Sequence, residues 1–183
     1  MSNERHILLL TGSLRAGSSN ETVLRTAAAL AAGAAGLRAT YYEGLAALPH
    51  FNPDHDTDPL PEAVAALRAA IEAADALLIC TPEYAGTLPG SFKNLLDWTV
   101  GGVEISDKPA AWINCAAPGR GEGAVATLRT VLGYTGAAVV DEACVRIPLD
   151  RGAVGADGLV ADPLVRERIA EVLARLAAAR PAA

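Results

Sequence analysis

Residues 11–20, Thr11-Gly12-Ser13-Leu14-Arg15-Ala16-Gly17-Ser18-Ser19-Asn20, gather three serines, two glycines, one asparagine and one arginine into ten positions. An apolar run, Ile7-Leu8-Leu9-Leu10, precedes them, and an alanine- and leucine-rich segment with helical character follows. A loop of this make-up between a strand and a helix can hold a phosphate. Backbone N–H groups at the helix start, the positive end of its dipole, several hydroxyls and a guanidinium converge on one anion. The stretch contains neither the Gly-x-x-x-x-Gly-Lys-Ser/Thr pattern of nucleoside triphosphatases nor the Gly-x-Gly-x-x-Gly of dinucleotide folds. The remaining groups, the hydroxyls of Ser13 and Ser18, the amide of Asn20 and Arg15, suit a terminal monophosphate. Taken alone, the same residues also describe a polar turn with Ser19 or Asn20 as helix N-cap.

A second loop, Thr81-Pro82-Glu83-Tyr84-Ala85-Gly86-Thr87-Leu88-Pro89-Gly90, follows the apolar run Ala76–Cys80. Its prolines stiffen it, and its glycines let backbone approach a flat ligand. Exposed N–H groups from Glu83 to Thr87 could bond the polar edge of an aromatic ring system. A third loop, Ala116-Ala117-Pro118-Gly119-Arg120-Gly121-Glu122-Gly123, follows another apolar run.

The elements that must position these loops alternate along the chain. Strands are expected at Arg5–Leu10, Leu37–Tyr42, Ala76–Thr81, Ala110–Ala116 and Ala137–Ile147. Helices are expected at Glu21–Ala32, Glu62–Ala73, Ser91–Thr99, Gly123–Tyr134 and Pro163–Ala179. Four of the strands are continuous apolar runs without alternation, the signature of strands buried on both faces. The pattern predicts an α/β fold: a single flavodoxin-like domain over residues 1–183, with a doubly wound five-stranded parallel sheet of order 2-1-3-4-5 and helices on both faces. Ligands in such sheets sit beyond the carboxyl ends of the strands, at the switch point between the first and third, where the loops above would lie.

The first two loops together resemble the NADPH-dependent FMN reductase family, which includes quinone, azo-dye and chromate reductases. The matching segments are Gly12-Ser13-Leu14-Arg15-x-x-Ser18-x-Asn20 and Thr81-Pro82-Glu83-Tyr84 followed by Pro89-Gly90-x-x-Lys93-Asn94-x-x-Asp97-Trp98. The resemblance covers nearly the whole chain in its order of elements. It implies FMN, with the phosphate held by Ser13, Leu14, Arg15, Ser18, Ser19 and Asn20. The isoalloxazine would lie against Pro82, Glu83, Tyr84, Ala85, Gly86 and Thr87, with Ala117 in the third loop at the ring end. It further implies NADPH or NADH as a transient electron donor, a small-molecule acceptor such as flavin or quinone, and pairing into homodimers or tetramers. Lys93, Asn94, Asp97 and Trp98 would cap their helix, support loops and contact a second subunit. No catalytic acid, base or nucleophile is expected, because the cofactor carries the chemistry and the protein positions it. The chain departs from the family in its Ala116-Ala117 pair, where small hydroxyl residues are frequent, and in Ala85, where Asn is common. Two other readings share the fold: an electron carrier like flavodoxin, and a flavin-binding sensor. The carrier's usual Ser/Thr-x-Thr-Gly-x-Thr loop is not found here.

Bulk properties exclude other classes. With 183 residues, 51% hydrophobic, 20% charged and a net charge of −6, the chain suits one soluble globular domain. No basic cluster points to nucleic acid, and no apolar run approaches the roughly 18 residues of a membrane span. The start, Met1-Ser2-Asn3-Glu4-Arg5-His6, reads as a direct entry into the first strand, so a cytoplasmic location is expected. Cys80, Cys115 and Cys144 read as small core residues of a reducing compartment. His6, His50 and His55 have no partners at zinc-ligand spacing. Asp54-His55-Asp56-Thr57-Asp58 fails the calcium-loop pattern, with Pro59 and Ala65 where Gly and Glu are required, and reads as a solvated acidic loop. Leu48-Pro49-His50-Phe51, after the second strand, resembles the family's loop near the substrate mouth, which implies His50 and Phe51 as candidate lining residues there.

Overall fold

The computed structural model describes residues 4–180; Met1–Asn3 of the expected direct entry lie outside them. The strands are β1 (Arg5–Thr11), β2 (Leu37–Tyr41), β3 (Ala76–Cys80), β4 (Pro109–Asn114), β5 (Ala138–Val139) and β6 (Val145–Arg146). The α-helices are α1 (Ser19–Ala32), α2 (Glu62–Glu72), α3 (Gly90–Asp97), α4 (Glu122–Tyr134) and α5 (Pro163–Ala178). The sheet is parallel with order β2-β1-β3-β4-β5, and β6 adds to β4.

Successive residues of the central strands feed two separate cores, which explains their uninterrupted apolar sequence. Ile7, Leu9, Leu78 and Ile113 pack against Val23, Leu24 and Ala27 of α1 and Ile169, Val172 and Leu176 of α5. Leu8, Leu10, Leu77, Ile79 and Trp112 face α2, α3 and α4 through Leu67, Ile71, Phe92, Leu95 and Leu128. Both sides of the sheet are thus excluded from water, and alternation of polar residues has no place.

One element differs from expectation. The fifth strand is not continuous from Ala137 to Ile147. Val139 lies opposite Ala110 and Val145 opposite Ile113, six steps on the edge strand against three on its neighbour. The surplus residues are looped out as the helical turn Asp141–Ala143. The acidic pair in that turn is drawn outward: Asp141 pairs with Arg129, and the Glu142 carbonyl accepts from Arg175. Cys144 closes the turn rather than lying within a strand.

Candidate functional site

The first loop bridges β1 and α1 at the switch point. A Cβ on Gly12 would stand 2.0 Å from Thr81 Oγ1, so only glycine lets the loops after β1 and β3 approach so closely. The N-cap of α1 is Ser18, not Ser19 or Asn20: its side chain accepts from Glu21 N at 3.2 Å. The Glu21 carboxylate reaches back to Gly17 N at 2.9 Å, closing a variant of the capping box. Ser19 and Asn20 therefore occupy the first two helical positions, whose N–H groups have no intrahelical acceptor. The N–H groups of Leu14 and Ala16 likewise bond nothing among the described residues. Ser13 Oγ accepts from Arg15 N and Ser18 Oγ from Glu21 N, which leaves each hydroxyl hydrogen to donate.

Two arginines neighbour this loop, and they are used differently. Arg25 stacks over the Tyr41 ring at 3.9 Å and pairs with Glu43 at 2.7 Å. Arg15 is exposed, and its guanidinium bonds nothing among the described residues. It lines two cavities of about 210 and 360 Å³ on either side of the loop.

A cavity of about 740 Å³ opens between the three loops. Its walls include Ser19, Asn20, Thr81, Pro82, Glu83, Ala116, Ala117 and Arg120. Ser13, Leu14, Arg15 and Ser18 stand outside this cavity, and so do Tyr84, Ala85, Gly86 and Thr87. The second loop explains the latter. Tyr84 and Thr87 exchange both backbone bonds, at 3.0 and 3.1 Å, around a tight turn with positive φ at Ala85 and Gly86. This narrows the set of free donors from Glu83–Thr87 to the N–H groups of Glu83, Ala85 and Gly86 among the described residues. The turn is fastened to α4 by Thr87 Oγ1 and Thr127 Oγ1, 2.9 Å apart.

Ala85 is a non-glycine residue at φ 51°, in the left-handed region that asparagine tolerates better than alanine. Ala85→Asn is expected to raise unfolding stability by about 0.5–1 kcal/mol, read as the midpoint of chemical denaturation. An unchanged or lower midpoint would show that the turn carries no such strain.

Glu83 has a structural task. The N-cap of α4 is Gly121, which has no side chain, and Glu83 Oε2 accepts from Ala124 N at 3.1 Å in its stead. A carboxylate at that end also complements the helix dipole. The third loop is shaped by groups the sequence does not announce. Asn114 Oδ1 accepts from Ala116 N at 3.0 Å. Arg146 donates to the carbonyls of Ala116 and Ala117, both at 3.1 Å, and pairs with Glu122. Arg146 lies in β6, 29 and 30 residues along the chain from those carbonyls, and no local pattern links it to the loop.

His50 and Phe51 do not line this cavity. Their segment is docked on α3: Asn94 Oδ1 accepts from Phe51 N at 2.7 Å, and Pro49 O accepts from Asn94 Nδ2 and Trp98 Nε1. The Phe51 and Trp98 rings meet edge to face at 5.0 Å. Asn94 and Trp98 are thus loop supports, and Lys93 pairs with Asp97 along the helix. His6 is a satisfied interior residue between Ala73 O and Thr40 Oγ1. Among the described residues no cluster could hold a metal ion, and no helix is long and apolar enough to cross a membrane.

Comparison with known proteins agrees with this geometry. The sequence model of the NADPH-dependent FMN reductase family matches residues 5–151. An NAD(P)H-dependent FMN reductase of Pseudomonas aeruginosa is 34% identical over 179 residues, 96% of this chain and 95% of its own length. A 2-hydroxy-1,4-benzoquinone reductase of a Burkholderia species is 30% identical over 181 residues, 94% of each chain. Among solved structures, the NAD(P)H:(acceptor) oxidoreductase FerB of Paracoccus denitrificans superposes with a TM-score of 0.79 at 30% identity, covering 94% of this chain and 97% of FerB. A flavodoxin from Bacillus cereus, at 15% identity and a TM-score of 0.60, shares the fold. The residues present fit FMN: unpaired N–H groups and a free guanidinium at one end of the site, and a cavity walled by three loops at the other. The chain belongs to the NADPH-dependent FMN reductase family, flavoenzymes with FMN as cofactor and NAD(P)H as electron donor.

Proposed function

We propose that this chain reduces a quinone, a free flavin or another small acceptor at the expense of NAD(P)H, with FMN bound across the switch point. The observation that carries this reading is the apposition of the Arg15 loop, rich in unpaired N–H groups, with the open cavity lined by Thr81–Glu83 and Ala116–Arg120. Bound FMN supplies the two-electron chemistry that links a nicotinamide donor to the acceptor. The chain supplies everything else. Arg15, the hydroxyls of Ser13 and Ser18, and the N–H groups of Leu14, Ala16, Ser19 and Asn20 hold the phosphate. Pro82 gives the rings a rigid wall, and Ala117 closes the far side. The unpaired N–H groups of Glu83, Ala85 and Gly86 donate toward the edge of the ring system where negative charge collects. Glu83's carboxylate is committed to α4, so this side chain fixes the wall of the cavity rather than shuttling protons.

An absorption spectrum of the purified chain with FMN, followed by NADPH without oxygen, tests this. A bound flavin band that bleaches on addition of NADPH or NADH is the expected result. A band that ignores both nucleotides yet bleaches with a separate reductase would identify an electron carrier instead. No bound band at all would overturn the site.

In this reading the chain pairs as a homodimer through the end of α3, where Val100 and Val103 stand exposed. Sedimentation at twice the chain mass is the corresponding observation, and a tetramer would be two such pairs. A cytoplasmic location is supported by the three free cysteines.

A further inference from the structure

Cys80 and Cys115 stand 35 positions apart in the sequence but side by side in the fold, at the carboxyl ends of β3 and β4. Their sulfurs are 3.7 Å apart. Asn20 Oδ1 lies 3.3 Å from the Cys80 sulfur and 3.4 Å from that of Cys115. The three groups form a buried cluster beneath the first turn of α1. Two of them, Asn20 and Cys115, also line the large cavity, whereas Cys80 is fully enclosed. Nothing in the proposed reaction uses either thiol.

We propose that Cys115 and Cys80 are a peroxide-sensitive thiol pair that is open to oxidation while the flavin site is empty and that, once oxidised, weakens flavin binding. This rests on the reading that FMN occupies the cavity beside Cys115. Cys115 is the sulfur a small oxidant can reach, and Cys80 waits behind it as the resolving partner. The hydrogen bond from Cys80 lowers the Cys115 thiol below its ordinary pKa, while burial raises Cys80, so the accessible sulfur is also the one that ionises first. The Cys115 sulfur attacks one oxygen of a hydroperoxide, the O–O bond breaks, and with hydrogen peroxide one water leaves as sulfenic acid forms. The Cys80 sulfur then attacks the Cys115 sulfur; the S–S bond forms, the S–O bond breaks, and a second water leaves. Two thiols and one hydrogen peroxide give one disulfide and two waters. Closing 3.7 Å to a bonded separation of about 2.05 Å needs a shift of under about 1 Å from each sulfur.

The consequence reaches the cofactor through Asn20. The Cys115 S–H that donates to its buried carbonyl oxygen, and the Cys80 S–H shared between that oxygen and the Cys115 sulfur, both disappear, and the amide they hold beside the cavity loses its anchor. A buried acceptor stripped of its donors weakens FMN binding by roughly tenfold.

The test treats the full chain with hydrogen peroxide, with and without saturating FMN, and follows intact mass, peptide maps and FMN affinity by fluorescence. Without FMN, the expected product is two mass units lighter, with Cys80 linked to Cys115 and Cys144 unmodified. In Cys80→Ala the sulfenic acid on Cys115 is trapped by dimedone. The oxidised wild type binds FMN roughly tenfold more weakly, and dithiothreitol restores it. Failure to form the Cys80–Cys115 bond, or a bond to Cys144, overturns the thiol pair; unchanged affinity after oxidation overturns its effect on the site. Saturating FMN should slow oxidation at least tenfold. An unchanged rate, with the disulfide still forming, overturns the gating and with it the placement of FMN beside Cys115, separately from the chemistry of the pair.

Discussion

Arg15→Ala is expected to raise the dissociation constant for FMN about 50-fold, roughly 2.3 kcal/mol, while unfolding stability stays within about 0.5 kcal/mol of wild type. The asymmetry follows from what the side chain touches. Arg15 is exposed, and its guanidinium bonds nothing among the described residues, so its removal leaves no internal group without a partner. In the proposed reading its charge meets the phosphate at the start of α1, where Ser19 and Asn20 occupy the first two helical positions, whose N–H groups have no intrahelical acceptor. Arg25 cannot substitute for it. That guanidinium is engaged with Glu43 and Glu21 and stacked on Tyr41. Arg15→Lys should recover part of the loss, because charge survives but the planar fork does not. Fluorescence titration with FMN reads the effect. A change of less than about threefold would remove Arg15 from the phosphate site and leave the backbone donors to carry it alone.

Asp56→Ala is expected to destabilise the chain by about 3 kcal/mol, lowering the melting temperature by roughly 6–12 °C. The acidic run Asp54–Asp58 reads as solvated from sequence, and the structure corrects that at its centre. Asp56 pairs with Arg68 at 2.7 Å, and the two side chains are only 11% and 10% exposed. Arg68 Nε also donates to Trp98 O at 3.0 Å, so one guanidinium ties the loop, α2 and the end of α3 together. Gly101 backs the pair so closely that a Cβ there would fall 1.8 Å from Asp56 Oδ2. Removing the carboxylate leaves a buried guanidinium without its counter-charge, which costs far more than losing a surface ion pair. Asp54 and Asp58, both exposed, serve as internal controls whose alanine variants should change little. Denaturant titration distinguishes the cases. A loss below about 1 kcal/mol for Asp56→Ala would mean that the pair behaves as a surface one.

The candidate site is legible in the sequence wherever its groups lie close together along the chain. Ser13, Arg15, Ser18, Ser19 and Asn20 lie in one contiguous stretch that runs from the loop into α1, and the strand before it and the helix after it are visible as apolar patterns. The cap of α1 is Ser18, one or two positions before the expected Ser19 or Asn20, and the Ser18-x-x-Glu21 spacing carries the signal for it. The second loop was recognised, but its conformation was not. Two consecutive residues at positive φ form a tight turn that consumes the N–H groups of Tyr84 and Thr87, leaves those of Ala85 and Gly86 unpaired among the described residues, and is fastened to α4. Ala85 hid this, since alanine gives no hint of a left-handed backbone where asparagine or glycine would. The interruption of the fifth strand was hidden for a related reason. Val139, Val140, Cys144 and Val145 look like one strand, and only the register against β4 reveals that three residues are surplus.

The sequence by itself determined the fold class, the alternation of strands and helices, and the run of hydroxyls, amide and guanidinium along residues 13–20, because each rests on patterns contained within one element or one turn. Tertiary structure alone decided which distant side chains meet. Arg146 with the carbonyls of Ala116 and Ala117, Glu83 with the start of α4, Asp56 with Arg68, and Cys80 with Cys115 are all set by how strands, helices and loops pack together. The physical reason is that a residue's type fixes what it can bond but not whether water reaches it. An aspartate or a cysteine has the same letter on an exposed loop as in a buried pair, and only the packing of elements far apart in the chain assigns its partner.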